Sequence, residues 1–170
     1  MENNDDWGRA PAVEKKYEWS NEIVPRLHVG GAPFYRGVAN YDVGNYDTIV
    51  LCADNFQYEG RDLDLFGGTE LLRCPFVDGA HISVSEWRQI RLTANTVAIR
   101  HKHGERILVT CAAGINRSAF VCALSMLEIW PAMTAVEAID TIRKQRKLDF
   151  GEALFNQTFV ELIHDHRKAE

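Results

Sequence analysis

Residues 107–120 read "ILVTCAAGINRSAF", and the fold can be read outward from them. Four β-favouring residues, Ile107, Leu108, Val109 and Thr110, lead into Cys111. Small, uncharged residues follow around Gly114, and Arg117 and Ser118 then open an apolar run. That order predicts a buried strand, a tight loop and a helix. In an open α/β sheet such a strand delivers its last residue to the C-terminal edge, where ligand crevices lie. A helix starting near Arg117 lets the intervening peptide N–H groups converge on one point, which makes an anion site. Gly114 suits the middle of the curve, because a tight loop wants positive φ or close backbone approach. The same positive field favours a thiolate over a thiol. A thiolate beside a bound phosphate monoester is set for attack on phosphorus.

The flanking segments supply the rest of an α/β chain. "EIVPRLHVGG" reads as a strand ending in paired glycines, "YDTIVLCA" as a strand buried on both faces, and "TELLRCPFV" as a third strand stopped near Pro75. Ser83 and Glu86 form a capping-box pair. The helix they open carries Val84, Trp87, Ile90, Ala94 and Val97 as its apolar stripe, and "HKHGE" closes it. After Arg117 the chain is apolar nearly all round, as a central helix would be, until Pro131. Thr134 and Glu137 form a second capping box, opening a helix that ends in "RKQRK", read as a solvated basic end. A last helix is expected from about Glu152 to Arg167, with Phe155, Phe159, Leu162 and Ile163 inward. The expected fold is α/β: one domain with a mostly parallel central sheet flanked by helices. Residues 1–20 read as a polar extension, with Trp7 and Trp19 as anchors, and residues 21–170 as the catalytic domain.

Composition narrows the class. The chain has 170 residues, 46% of them hydrophobic and 25% charged, with a formal net charge of −5. That size is enough for one core without staples, and the acidic balance argues against a general nucleic-acid binder. Cys52, Cys74, Cys111 and Cys122 show no paired spacing and read as reduced thiols. The polar N-terminus lacks the apolar core of a signal peptide, and no apolar run approaches the ~20 residues of a membrane span. A soluble, cytoplasmic protein with no membrane partner is expected. The pairs His101/His103 and His164/His166 have a spacing that does not aim both rings at one metal, and they read as surface.

"CAAGINRS" resembles the signature loop of the cysteine-dependent protein tyrosine phosphatases, and the surroundings resemble the dual-specificity branch. The likeness runs from "EIVPRLHVGG" through "MTAVEAIDTIRKQR" to "ALFNQTFVELI". It implies a metal-independent, cofactor-free phosphatase acting on phosphoproteins, on phosphotyrosine and also on phosphoserine and phosphothreonine, through a phosphocysteine. Cys111 would be the nucleophile. Ala112, Ala113, Gly114, Ile115, Asn116 and Arg117 would bind the phosphoryl group, with Arg117 gripping two of its oxygens. Ser118 would donate its hydroxyl to the sulfur. A leaving alkoxide or phenoxide needs a proton, and Asp78 in "CPFVDGAHIS" is the matching acid, on a loop where Gly79 makes motion cheap. Asp54, Asp62 and Asp64 are the competitors for that role, in an acidic loop better suited to shaping the cleft's rim; His81 is a lone loop histidine, which usually has no special part even where it lines a cleft.

The family usually has a histidine before the cysteine; Thr110 stands here, able to hold a loop carbonyl or amide but bringing no cationic character. The uncharged loop interior disfavours phosphoinositides. Asn116 also occurs in the RNA 5′-triphosphatase branch, so RNA 5′-phosphates or another small phosphate ester remain an alternative substrate class, and a phosphate-binding pseudophosphatase an alternative role. Cys52 matches the position where some relatives hold a second cysteine able to pair with the nucleophile; as a residue in an apolar strand it equally reads as a buried thiol.

Overall fold

The computed structural model describes residues 19–35, 38–149 and 151–166. Its frame is a five-stranded sheet in the order β1 (Ser20–Val24), β2 (Leu27–Gly30), β7 (Ile107–Thr110), β5 (Thr48–Ala53), β6 (Glu70–Phe76). The last four strands are parallel, and β1 pairs antiparallel with β2. A small ribbon of β3 (Phe34–Tyr35) and β4 (Val38–Ala39) stands apart. Among the described residues there are four α-helices, α1 (Val84–Lys102), α2 (Arg117–Ile129), α3 (Ala135–Gln145) and α4 (Gln157–Asp165), besides two short 3-10 segments. Trp7, expected as an anchor, lies outside the described residues; the Trp19 carbonyl accepts from Gly31 N–H at 2.8 Å.

β7 is the middle strand, so its end is the centre of the sheet's C-terminal edge. Every residue of β5 and β7 is buried, as their uninterrupted apolar runs predict. Alternation still divides them: Val50, Cys52, Ile107 and Val109 join the larger core with the helices, while Ile49, Leu51 and Leu108 pack on the other face against Phe34, Tyr46 and Phe66. α2 lies in that larger core. Nearly all of it is buried, and Phe120 stacks on Phe159 with ring centroids 4.6 Å apart. Burying one such ring is worth roughly 1.5–3 kcal/mol.

Both capping boxes are present. Ser83 Oγ accepts from Glu86 N–H at 3.2 Å while Glu86 Oε2 accepts from Ser83 N–H at 2.8 Å. Thr134 and Glu137 repeat the exchange at 3.2 and 2.7 Å. In each box the hydrogen bonds to serine or threonine hold the glutamate carboxyl below its usual range.

Several expectations need correction. "EIVPRLHVGG" is a hairpin, β1 and β2, because Pro25 offers no N–H and Arg26 adopts φ 67°. β6 does end near Pro75, at Phe76: it is the sheet's edge strand, and its pairing with β5 shifts register there, so the proline's missing donor costs little. Val84 is 87% exposed. At 3.6 residues per turn it lies about 100° round the helix from the Ile90–Ala94–Val97 stripe. The last helix begins at Gln157, not Glu152, because Asn156 is its N-cap and Leu154 has φ 58°; Phe155 is therefore exposed, and Arg167 lies outside the described residues. His101 and His166 are buried, not surface: His101 Nε2 bonds the Pro25 carbonyl at 2.8 Å, and His166 Nε2 meets Glu128 Oε1 at 2.7 Å. No described helix is long and apolar enough to cross a membrane.

Candidate active site

Cys111 follows β7 at the sheet's C-terminal edge and is 4% exposed, its N–H bonded to the Gly30 carbonyl at 3.2 Å. Its Sγ lies 3.3 Å from Ser118 Oγ in the first turn of α2. Between them the backbone forms an outward-facing ring of carbonyls. That of Ala112 accepts from Ala32 N–H at 3.1 Å, and that of Ala113 from Arg146 Nη2 at 3.4 Å. Gly114 accepts from Arg146 Nε at 2.9 Å, Ile115 from Leu154 N–H at 2.9 Å, and Asn116 from Phe120 N–H at 2.8 Å. In a planar trans peptide the C=O and the following N–H point opposite ways. Carbonyls held outward from 112 to 115 therefore turn the N–H groups of 113 to 116 inward, over the cysteine. The convergence expected from the sequence arises from what grips the loop's outside.

Glycine at 114 is required on two counts. Its φ is 68°, and a Cβ there would sit 2.5 Å from the Gly30 carbonyl carbon and 2.6 Å from Gly31 N. The paired glycines that end β2 thus form the wall against which the loop curls. Tyr41 holds that wall by donating to the Gly31 carbonyl at 2.8 Å. Burial, with neighbouring Tyr46, Tyr58 and Cys111, pushes its phenol well above the usual range, so it stays a neutral donor.

Arg117 is 9% exposed and reaches back across the sheet edge. Its Nη1 donates to Asp54 Oδ1 at 2.7 Å and to the Phe76 carbonyl at 3.1 Å. Its Nε is buried with no hydrogen-bond partner among the described residues. A buried guanidinium donor left without an acceptor costs free energy that an incoming anion would restore. Asp54, read as a competitor for the acid role and as part of the cleft's rim, is bonded to Arg117.

Asp78 lies in the loop after β6. Its two carboxylate oxygens accept from Asn116 Nδ2 at 3.1 Å and Asn156 Nδ2 at 2.9 Å. The structure thus brings Asp78 to the far end of the cysteine loop, through Asn116. His81 is exposed, in the same loop as Asp78.

Two expectations change here. Thr110 does not hold the loop: its Oγ1 donates to the Val50 carbonyl of β5 at 2.7 Å, so the residue before the cysteine braces the sheet. Arg146, read as part of a solvated basic end, is 2% exposed and spans the loop's carbonyls, with Nη1 on Asn21 Oδ1 at 2.6 Å. Neither it nor Asn156 carries a local signal; each partner is distant in sequence. Cys52 is fully buried, and burial with the nearby thiols of Cys74 and Cys111 pushes its own thiol well up. Cys52 and Cys111 are both free thiols. Among the described residues no group of His, Cys, Asp and Glu side chains is placed to hold a metal.

No family model matches the chain. It is 31% identical over 136 residues to mouse dual specificity protein phosphatase 13B, covering 75% of this chain and 65% of the mouse protein. The match thus spans just under two thirds of that relative's length. Among solved structures, Tk-PTP in its active form superposes with a TM-score of 0.69 at 20% identity, covering 88% of this chain and 98% of that one. The human tyrosine phosphatase-like serine/threonine/tyrosine-interacting protein superposes at 0.67 and 18% identity, covering 88% and 96%. These structural likenesses establish the shared fold.

Proposed function

Because the chain belongs to the dual-specificity branch of the cysteine-dependent protein tyrosine phosphatase superfamily, we propose that it is a metal-independent phosphatase acting on phosphotyrosine and on phosphoserine and phosphothreonine in proteins. One observation carries this reading: Cys111 Sγ lies beneath a loop whose carbonyls are all held outward, while Arg117 closes the loop with a buried, unpartnered Nε–H. Thiolate, inward amides and guanidinium are what transfer of a phosphoryl group to sulfur needs.

The reaction has two steps. Cys111 Sγ attacks phosphorus in line as the bond from phosphorus to the leaving oxygen breaks, and Asp78 gives that oxygen its proton. Arg117 and the loop amides hold the three equatorial oxygens as charge shifts among them. Water then attacks the phosphocysteine, losing a proton to Asp78, and the S–P bond breaks to return the thiolate. Ser118, 3.3 Å away, donates to the departing sulfur. The positive field comes from the chain itself, so activity should survive strong chelators.

The test is a panel of phosphotyrosine, phosphoserine and phosphothreonine peptides, with 5′-triphosphorylated RNA alongside. Wild type and Cys111→Ser are compared with and without chelator. Peptide turnover that is lost in Cys111→Ser and indifferent to chelator supports the reading. Full activity in Cys111→Ser overturns the mechanism, and turnover of RNA alone overturns the substrate class.

A further inference from the structure

Asp78 is not held by its own loop. That loop, residues 77–82, has no strand or helix of its own and is largely exposed, with Gly79 beside the acid. What fixes the carboxylate is a pair of side-chain amides from two other segments, one donor to each oxygen: Asn116 at 3.1 Å from inside the cysteine loop and Asn156 at 2.9 Å from the cap of α4. The two asparagines are themselves joined. Asn116 Oδ1 accepts from the backbone N–H groups of Phe155 at 3.0 Å and Asn156 at 3.2 Å. Asn156 Nδ2 also donates to the Gly79 carbonyl at 3.0 Å, pinning the loop as well as the acid. Asn116 is 3% exposed, so its amide is fixed by packing and can fix others.

We propose that Asn116 and Asn156 are positioning residues for the general acid, a two-amide cradle that carries the orientation of the cysteine loop to Asp78. The proposal rests on the phosphatase reading and adds what aligns its proton donor. Each amide occupies one lone pair on one carboxyl oxygen and leaves the outer lone pairs available, so a proton can sit on either oxygen without breaking the cradle. A cavity of about 500 Å³ lies against the cradle, lined by Asp78, Asn116, Phe155 and Asn156 among others, so the acid and both of its amide donors border one open space. The arrangement makes proton delivery conditional on a correctly folded cysteine loop, because the residue before Arg117 is one arm of the cradle.

The variant that isolates this role is Asn156→Ser. Asn156 also caps α4, accepting from Phe159 N–H; serine keeps a capping oxygen but is too short to reach Asp78. The measurement is kcat/KM on two phosphate esters, one with an acidic leaving group, p-nitrophenyl phosphate, and one without, phenyl phosphate. A well-placed acid contributes about 10²–10⁴-fold, and chiefly to the poorer leaving group. Asn156→Ser is expected to stay within about 3-fold of wild type on p-nitrophenyl phosphate and to fall roughly 10-fold or more on phenyl phosphate. In an Asp78→Asn background it should add nothing further, since the two then act on one step. Equal losses on both esters, or additive losses in the double variant, would overturn the proposal. Wild type inactive on both esters would instead overturn the phosphatase reading.

Discussion

The loops that carry Cys111 and Asp78 are held in opposite ways. From Ala112 to Asn116 every carbonyl of the first is bonded outward, its glycine fits against the β2 glycines, and the buried Arg146 spans two of its carbonyls. The second is short, largely exposed, and fixed at its acid by two side-chain amides alone. An anion cradle works by dipoles already in place when charge develops, so rigidity is its function. A proton donor must follow the leaving oxygen, so bonds that a small motion can make and break serve it better. One loop binds; the other delivers.

The largest way to test that contrast is Asp78→Asn. Loss of the proton donor should cost about 10²–10⁴-fold in kcat on phenyl phosphate. Inorganic phosphate, which needs no proton delivered, should inhibit as it does wild type. If phosphate inhibition weakened in parallel, the two loops would be one structural unit.

Arg146→Met probes the other side. Its charged hydrogen bonds are worth about 2 kcal/mol to the fold, visible as a lower Tm. Loosening the loop carbonyls should misplace the amides and lower kcat/KM roughly 10- to 100-fold. Phosphate inhibition should weaken with it, and the loss should be larger on phenyl phosphate than on p-nitrophenyl phosphate, because Asn116 carries the loop's orientation to Asp78. A variant with lower Tm but wild-type phosphate inhibition would show that Arg146 braces the fold and not the cradle.

What was legible in the sequence divides along the same line. The strand–loop–helix around Cys111, the two capping boxes and the all-apolar α2 are local patterns, set by residues within a few positions of one another. Arg146 gave no such sign, because its partners are Asn21 and the loop carbonyls of Ala113 and Gly114, far away along the chain. In isolation "RKQRK" reads as any basic helix end. Asn156 and Asp54 escaped for the same reason: each is an ordinary loop residue until the fold sets it against Asp78 or Arg117. The hairpin at Pro25–Arg26 was missed because arginine at positive φ is not a turn signature; the tight reversal selects it there, with Glu22 Oε1 accepting from its N–H at 2.8 Å.

Asp54 sharpens the contrast at its finest scale, with an effect of opposite sign. Its carboxylate holds Arg117 Nη1 at 2.7 Å, yet its side chain is 55% exposed, so the pair contributes at most about 1 kcal/mol to the fold. A negative charge beside an anion site also repels the anion. Unit charges about 4 Å apart in water interact by about 1 kcal/mol, roughly fivefold in affinity. Asp54→Asn keeps an oxygen that can accept from Arg117 and removes the charge, while the Phe76 carbonyl still steadies the guanidinium. Inorganic phosphate should therefore inhibit this variant a few-fold more tightly than wild type, and the gain should shrink as salt is raised. Weaker inhibition would mean that Asp54 aligns Arg117 more than it opposes the phosphate, and that the cradle is less fully built by the loop itself.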